Sequence, residues 1–594
     1  MEMKIIILLF LSVISTINSS CDITSAVFDN VLDGMPAAFG DYDSDELTDV
    51  FVIRKDGKTL EILLSNEHEP LLRSTNLTCK FENRITSIVP GDYDGNVFMD
   101  ILVTTLDNDN ILTNVYVLWN DDGTLNCSGT SKPLIKMIGQ PLTIDYNQDM
   151  IIDLFGTDAD NHRTFWIFNN GQNSPEPIQM NTTISTSIRS PHSNAFLDLN
   201  GDFYPDIMIT TNEHVEIWNG SNKGFNYFKK IKWPYDIIDS INGHIGQSLN
   251  LDVELRGELD LILPICFDND CKNSTIAIYN NGWHNMNINF IDDHNDTWGF
   301  VPSNSDNDKL YNDAITLRGG DFNMDGYPDL LATLKSSKTQ IIRSFLLINS
   351  PCIKNCKYIK RTFVIEDWNT FNTFKNDTIM AVFYDFYQNG ILDVILVQHD
   401  KIHNKYQVGA FKNDLDYDAS FIKVMVLTSL TNPDYPLSYG SLGKKKRTYG
   451  TNLPGPSISY DTTTQEGNHR KAIAAQLPQS AHFSLNLPYT TFGLGRTPNF
   501  VDKLLIGVAG YSREWRQIIP NSQMVVIPKP IDYPPGWKAQ LFVTPSKLIY
   551  MSAAALAGTC VLISFIILYL WWKERREDKF ERLQEAHRFH FDAM

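Results

Sequence analysis

Oxygen-bearing side chains recur at fixed spacing in the stretch Asp321-Phe-Asn-Met-Asp-Gly-Tyr-Pro-Asp329. Asp321, Asn323, Asp325 and Asp329 stand at loop positions 1, 3, 5 and 9, with Gly326 at position 6. Calcium is a hard cation that takes about six to eight oxygens, and a tight turn supplies several of them from a few residues. An EF-hand would need Glu at position 12 and a following helix. Position 12 here is Ala332, and Leu330-Leu-Ala-Thr-Leu334 reads as a strand. The stretch is a calcium-type loop that feeds a β-strand.

Related loops begin at Asp41, Asp92, Asp145, Asp198, Asp252 and Asp385, with steps of 51, 53, 53, 54, 69 and 64 residues along the series. Each ends in an Asp followed by a short apolar run, such as Asp49-Val-Phe-Val-Ile or Asp206-Ile-Met-Ile. A period of this size signals a repeat architecture, and one repeat is too short to bury a core of its own. The reading is mainly β: a seven-bladed β-propeller over 21–430, each apolar run an inner strand buried on both faces. The loops would then share one end of the ring. The apolar run Ala26 to Met35 is expected to close the ring by pairing with the last blade.

The loops are unequal as metal sites. Four oxygens are kept in the first (Asp41, Asp43, Asp45, Asp49), second (Asp92, Asp94, Asn96, Asp100), third (Asp145, Asn147, Asp149, Asp153) and fourth (Asp198, Asn200, Asp202, Asp206). None of these four has Gly at position 6, where Glu46, Val97, Met150 and Phe203 stand. The fifth (Asp252, Glu254, Arg256, Asp260) carries a cation at a ligand position, so no calcium is expected there. The seventh (Asp385, Tyr387, Asn389, Asp393) is weakened by its Tyr. Structural calcium is the expected cofactor for the first four loops and the sixth. The competing reading makes the same side chains turn caps on backbone amides.

The compartment is read from the ends. Lys4 and the apolar run Ile5–Ile14 make residues 1–20 a signal peptide. Leu548 to Trp572 is an uncharged run of 25 residues, long enough to cross a hydrocarbon core of about 30 Å. Tyr569, Trp571 and Trp572 suit an interfacial belt, and Lys573, Arg575 and Arg576 place the tail 573–594 in the cytosol. The chain is thus expected at the cell membrane as a single-pass type I protein. Seven sequons lie between the two signals, at Asn76, Asn126, Asn181, Asn219, Asn273, Asn295 and Asn376. In an oxidising compartment Cys266 with Cys271, and Cys352 with Cys356, close local loops, and Cys79 with Cys127 is a further pair. That leaves Cys21 over.

With 70 acidic and 50 basic residues the formal net charge is −20, which excludes a nucleic-acid partner. Residues 431–468 read as a linker and contain Lys444-Lys-Lys-Arg447, either a solvated run or a cleavage site that would shed the ectodomain. Residues 469–535 read as a small β domain, with strand-like runs Ile473–Leu477, Phe483–Leu487, Leu504–Val508 and Met524–Ile527. Phe492-Gly-Leu-Gly495 lacks the Lys of a phosphate loop and reads as a tight turn. The tail has helix-forming composition and is either a solvated extension of the span or a dock for a cytosolic partner.

The Asp-x-Asx-x-Asx-Gly-x-x-Asp loops resemble the FG-GAP repeats of integrin α-subunit propellers, and Phe39-Gly40 before the first loop fits that name. Phe492-Gly-Leu-Gly495, Phe500-Val-Asp-Lys-Leu-Leu-Ile506 and Pro520-Asn521 resemble the small β domain of the UnbV/ASPIC group. The block Ser480-Ala-His-Phe…Phe492-Gly-Leu-Gly-Arg-Thr…Ile518-Ile-Pro-Asn-Ser-Gln, with the repeats, the span and the tail, resembles the T-cell immunomodulatory protein (Linkin) family over nearly the whole chain. That resemblance implies a cell-surface glycoprotein acting in cell–cell adhesion or T-cell modulation through an extracellular protein partner. It does not imply an enzyme. A propeller-associated hydrolase would need a catalytic domain, and neither Gly-x-Ser-x-Gly nor His-Glu-x-x-His occurs. His68, His192 and His482 read as surface or core residues. A glycan-binding reading would use Trp283, Trp298 and Trp368 as platforms, where core packing is the alternative.

Overall fold

The computed structural model describes residues 22–591 apart from 30–32, 108–110, 122–123, 183, 185, 235–242, 303–313, 354–355, 402, 404, 415–418, 432–448, 465–466, 479–483, 496–499 and 545–546. The signal segment 1–20, Cys21, the run Lys444–Arg447 and the stretch Ser480–Phe483 lie outside the described residues. The chain divides into two compact units, one ending at Phe542 and one starting at Val543.

Every Asp loop joins two antiparallel strands. The residue before position 1 pairs with the position-9 Asp in all seven: Gly40 with Asp49, Gly91 with Asp100, Ile144 with Asp153, Leu197 with Asp206, Leu251 with Asp260, Gly320 with Asp329 and Tyr384 with Asp393. The apolar run after each loop is therefore a strand hairpinned to the one before the loop. Strands such as Asp206–Thr210 are buried along their whole length, because a sheet neighbour packs on either face. This is why they read as unbroken apolar runs rather than as alternation.

The first sheet runs Gly34–Gly40, Asp49–Arg54, Thr59–Ser65, Leu72–Lys80. The second and third repeats are joined through one long strand, Ile135–Ile144. Its first residues pair backwards to Thr113–Leu118, and its last residues pair forwards to Asp153–Asp158. Gly139, at φ +74°, supplies the bend between. Apolar clusters join each repeat's sheet to the next: Leu102 with Leu154, Phe155 with Ile207, Met208 with Leu263, Ile262 with Leu330, and Leu331 with Val394. One further cluster holds Val382 and Ile395 of the last sheet together with Phe39 and Phe51 of the first. Bridges pair Asp22 with Phe411 and Asp33 with Gln407, so the N-terminal segment lies along the strand Lys405–Phe411.

After the repeats come two four-stranded sheets packed face to face. One is ordered Thr490–Gly495, Ser420–Val426, Ser522–Ile527, Lys538–Val543. The other is ordered His469–Ala475, Ser457–Thr463, Val501–Val508, Tyr511–Ile518. Ile422, Val424, Ile458, Tyr460, Leu504 and Val526 form the core between them. The expected boundaries at 430, 468 and 535 are corrected here. Ser420–Val426 belongs to this sandwich through parallel pairing of Ile422 with Ser522. Ser457–Thr463, inside the expected linker, is a central strand. Lys538–Val543 extends the sandwich past 535. Ser484–Leu487 forms no strand. A parallel pair between residues so far apart leaves no local trace that a linker composition could reveal.

The second unit is one helix, Lys547–Phe591. It takes in the whole apolar run and continues without a break into the charged tail. Over Met551–Glu585 it is long and apolar enough to cross a membrane, by length and composition.

Candidate metal centres

The seven loops share one backbone scaffold. The position-9 carboxylate accepts the amide of position 2 through one oxygen, as in Tyr42 N to Asp49 (2.7 Å), Tyr93 N to Asp100 (3.0 Å), Tyr146 N to Asp153 (2.9 Å), Leu199 N to Asp206 (3.0 Å) and Phe322 N to Asp329 (3.0 Å). Its other oxygen accepts an amide from the next strand or from just beyond it, such as Asn120 N on Asp100 (2.8 Å) or Asn349 N on Asp329 (2.8 Å). The position-1 carboxylate accepts the amide of position 6: Glu46 on Asp41 at 3.0 Å, Val97 on Asp92 at 2.9 Å, Phe203 on Asp198 at 2.9 Å, Gly326 on Asp321 at 2.8 Å. The turn-capping reading of these side chains is thus realised in every loop, whatever else they do.

Position 6 is left-handed throughout. Glu46, Val97, Met150 and Phe203 take φ of +74°, +89°, +71° and +69°, beside +96° at Gly326. The non-Gly residues adopt the turn that Gly adopts, at a cost of about 1–2 kcal/mol each. Absence of Gly therefore does not mark a different loop.

Carboxylates are crowded in two loops above all. One oxygen from each of Asp41, Asp43 and Asp49 lies within 4.8 Å of the others, and the same holds for Asp92, Asp94 and Asp100. Burial, reinforced by the neighbouring carboxylates, pushes Asp41, Asp49 and Asp100 well above the usual carboxylate range and Asp92 up to about 7. Burial does the same at Asp145 (about 7), Asp153 (about 8), Asp206 (about 7) and Asp329 (about 7). Buried like charges destabilise one another unless a proton or a cation offsets them. In the third loop Asp145 Oδ1 is buried with no hydrogen-bond partner. In the third, fourth and sixth loops the position-3 amide donates to position 5: Asn147 to Asp149 (2.8 Å), Asn200 to Asp202 (3.0 Å), Asn323 to Asp325 (3.2 Å). The convergent carboxylates of the first and second loops fit a hard divalent cation.

The fifth and seventh loops are built differently. Arg256 pairs with Asp260 within its own loop. Burial pushes Asp260 to about 6, against the pull of that guanidinium. In the seventh loop Tyr387 points outward, 39% exposed, and the ammonium of Lys423 lies 3.8 Å from Asp385.

Neighbouring loops are tied by asparagines. Asn349 Nδ2 donates to Val253 O at 3.0 Å, joining the sixth loop to the fifth. Asn413 Nδ2 donates to Phe322 O at 2.8 Å, joining the seventh to the sixth. Both stand twenty residues after the position-9 Asp, as does Asn120. That spacing is a sequence signal the ligand pattern alone passes over.

The C-terminal sandwich sits against the loops. Gly510 N donates to Phe203 O (2.9 Å) and Gly495 N to Met324 O (2.9 Å). Ile473 N donates to Asp252 Oδ2 (3.3 Å), Arg470 Nη1 to Asp325 O (2.6 Å) and Lys423 Nζ to Gln388 Oε1 (2.7 Å). Met150 of the third loop joins the sandwich core. Loops three to seven therefore lie on one side of the sheets, facing the sandwich. Gly493 explains part of the Phe492-Gly-Leu-Gly495 motif. A Cβ there would fall 2.1 Å from Asp321 Oδ2 and 2.6 Å from the Met324 backbone. Phe492–Gly495 lies in the strand Thr490–Gly495 and not in the tight turn expected for it, with Gly495 at φ +60° as its last residue.

Disulfides join Cys79 to Cys127, Cys266 to Cys271 and Cys352 to Cys356. Of the sequon asparagines, Asn76, Asn126, Asn181, Asn273 and Asn295 are exposed, and Asn219 and Asn376 are half-buried. Trp298 is buried against Phe345 and Trp368, and Trp283 donates to Lys232 O. Trp298 is a packing residue, while Trp283 and Trp368 are half-buried.

Sheets strung on Asp loops, followed by a β-sandwich and an apolar helix, define an FG-GAP-type repeat protein with one candidate membrane helix among the described residues. Residues 145–209 match the model of the FG-GAP-like repeat, and residues 448–542 match one described as "ITFG1, C2 domain". That second match covers the block whose motifs resemble the UnbV/ASPIC domain. The T-cell immunomodulatory proteins of Mus musculus and Homo sapiens are each 36% identical, over 96% of this chain and 94% of theirs. Protein linkin of Caenorhabditis elegans is 26% identical over 94% of this chain and 95% of its own. The chain belongs to the T-cell immunomodulatory protein family.

Proposed function

We infer that this chain is a type I cell-surface glycoprotein whose ectodomain binds an extracellular protein partner, in cell–cell adhesion or T-cell modulation, and that structural calcium stiffens it. The sheets are read as a seven-bladed ring. The supporting facts are the shared core of the first and last sheets and the N-terminal segment paired along Lys405–Phe411. The names of the relatives support the surface role, and the disulfides and apolar helix suit a chain that leaves the cytosol.

The observation that carries the calcium reading is the crowding of half-buried Asp41 and Asp43 with buried Asp49, and of buried Asp92, Asp94 and Asp100. Calcium would offset these charges and tie position 1 to position 9, so each loop would hold its two strands in register. The first four loops and the sixth would hold it; the fifth and seventh would not. No catalytic residue is proposed.

The test uses the full chain in detergent: metal content after purification in calcium, and thermal unfolding with calcium or chelator. Several calcium ions per chain and a midpoint that climbs with free calcium are expected. No bound metal and no shift would reduce the Asp loops to turn caps. Adhesion would be tested by aggregation of cells displaying the chain, against cells displaying a variant with Asp92 and Asp100 changed to Asn.

A further inference from the structure

Lys423 lies on the strand Ser420–Val426 of the C-terminal sandwich, 1% exposed. A lysine is almost never buried to that degree without a partner. Its Nζ donates to Gln388 Oε1 at 2.7 Å and stands 3.8 Å from Asp385 Oδ2, at positions 4 and 1 of the seventh loop. The same ammonium lies 3.8 Å from the centre of the Tyr489 ring, a contact worth more where water is excluded. Around it the fit is close: a Cβ on Gly390 would fall 2.2 Å from the Phe421 ring.

The fifth loop shows the same substitution made locally. Arg256 at position 5 pairs with Asp260 at position 9, and its Nε is 3.9 Å from Glu254 Oε2 at position 3. The two loops that depart from the calcium pattern thus each hold a side-chain cation among their carboxylates. One comes from the loop itself and the other from a different domain.

We propose that Lys423 is the resident cation of the seventh loop, an ammonium brought by the C-terminal sandwich in place of a metal ion, and that it latches the sandwich onto the sheets independently of calcium. The contrast with the other loops rests on the calcium reading above; the latch does not. A divalent ion exchanges with solvent, whereas an ammonium fixed to a strand leaves only when the sandwich moves. The sandwich then stays docked when calcium is withdrawn, and calcium tunes the remaining loops beneath a fixed cover.

The test is a double-mutant cycle on the full chain in detergent, with Lys423→Met, Asp385→Asn and both together, each with calcium and with chelator. The readouts are thermal unfolding and hydrogen exchange of peptides covering 385–391 and 420–426. In Lys423→Met, exchange in both peptides is expected to rise by about tenfold or more, equally with calcium or chelator. The double variant is expected to recover part of the lost midpoint, because its buried carboxylate has become an amide. Additive losses in the double variant, or unchanged exchange in Lys423→Met, would overturn the latch. If Lys423→Met does not accumulate, accumulation of the double variant supports the pair, and failure of both counts against it. A wild-type chain without any calcium response would sink the calcium reading, while the cycle in chelator would still decide the latch.

Discussion

Glu216 is fully buried and surrounded by donors: Arg163 at 2.7 and 3.0 Å, Thr186 Oγ1 at 2.8 Å, Trp218 Nε1 at 3.0 Å and His214 Nε2 at 3.2 Å. Burial opposes its charge, but the Arg163 guanidinium and the other donors overcome it and hold the carboxyl below its ordinary value. Glu216→Ala would strand Arg163 between the third and fourth repeats and cost about 3–5 kcal/mol, read as a lower denaturant midpoint. His192 behaves oppositely to a partnered histidine. Its Nε2 faces Gln140 O at 2.9 Å, and its Nδ1 accepts the amide of Asn194 at 3.1 Å. Burial brings its pKa down to about 4. The unfolded chain then binds the proton first, so its contribution is whole above about pH 6.5 and is lost as pH falls from there toward 4. At pH 5 the loss is about 2 kcal/mol. Denaturant midpoints at pH 7.5 and 5 should therefore differ less in His192→Gln than in the wild type. Neither role was legible: Arg163 and Glu216 are 53 residues apart, and only folding makes them neighbours.

At the scale of elements, the loop and its two strands form one unit whose ends the position-9 Asp clamps. The period and the apolar runs exposed that unit in the sequence, because spacing in a tight turn is a local property. That the strand before each loop pairs with the run after it, as Gly320 does with Asp329, is fixed by the fold and not by spacing. Asn349→Ala removes a donor to Val253 O and Pro328 O. It should cost about 1–3 kcal/mol by leaving buried carbonyls unmatched, seen as faster hydrogen exchange in the fifth and sixth loops together. Gly493→Ala would press a methyl into Asp321 and Met324. It should destabilise by about 1–3 kcal/mol through overpacking and open the sixth loop to exchange.

At the scale of the molecule, the buried carboxylates predict how the chain responds to pH without metal. Their folded pKa values lie above the unfolded ones, as with Asp92 and Asp329 at about 7. Stability from the protonated form is present at low pH and lost as pH rises from about 4 through about 7. In chelator the thermal midpoint should fall between pH 5.5 and 7.5, and calcium should flatten that slope. A chain cut after residue 535 would lose the strand Lys538–Val543 and Trp537, which is 2% exposed. It should be secreted less well than one ending at Thr544, as measured in culture medium.

The residues by themselves determined the seven loops, the runs that follow them, the candidate membrane helix and the two local cysteine pairs, Cys266 with Cys271 and Cys352 with Cys356. Spacing, hydropathy and short closed loops are properties of neighbouring residues, and no fold is needed to state them. The tertiary structure decided where the sandwich begins and ends, since Ile422 finds Ser522 only through a parallel pairing. It also placed the sandwich over loops three to seven and put Lys423 into the seventh. A lone lysine in an apolar strand carries no signal of its own. Its meaning comes from a carboxylate that another domain holds 3.8 Å away, in an interior where an unpaired charge would not be tolerated.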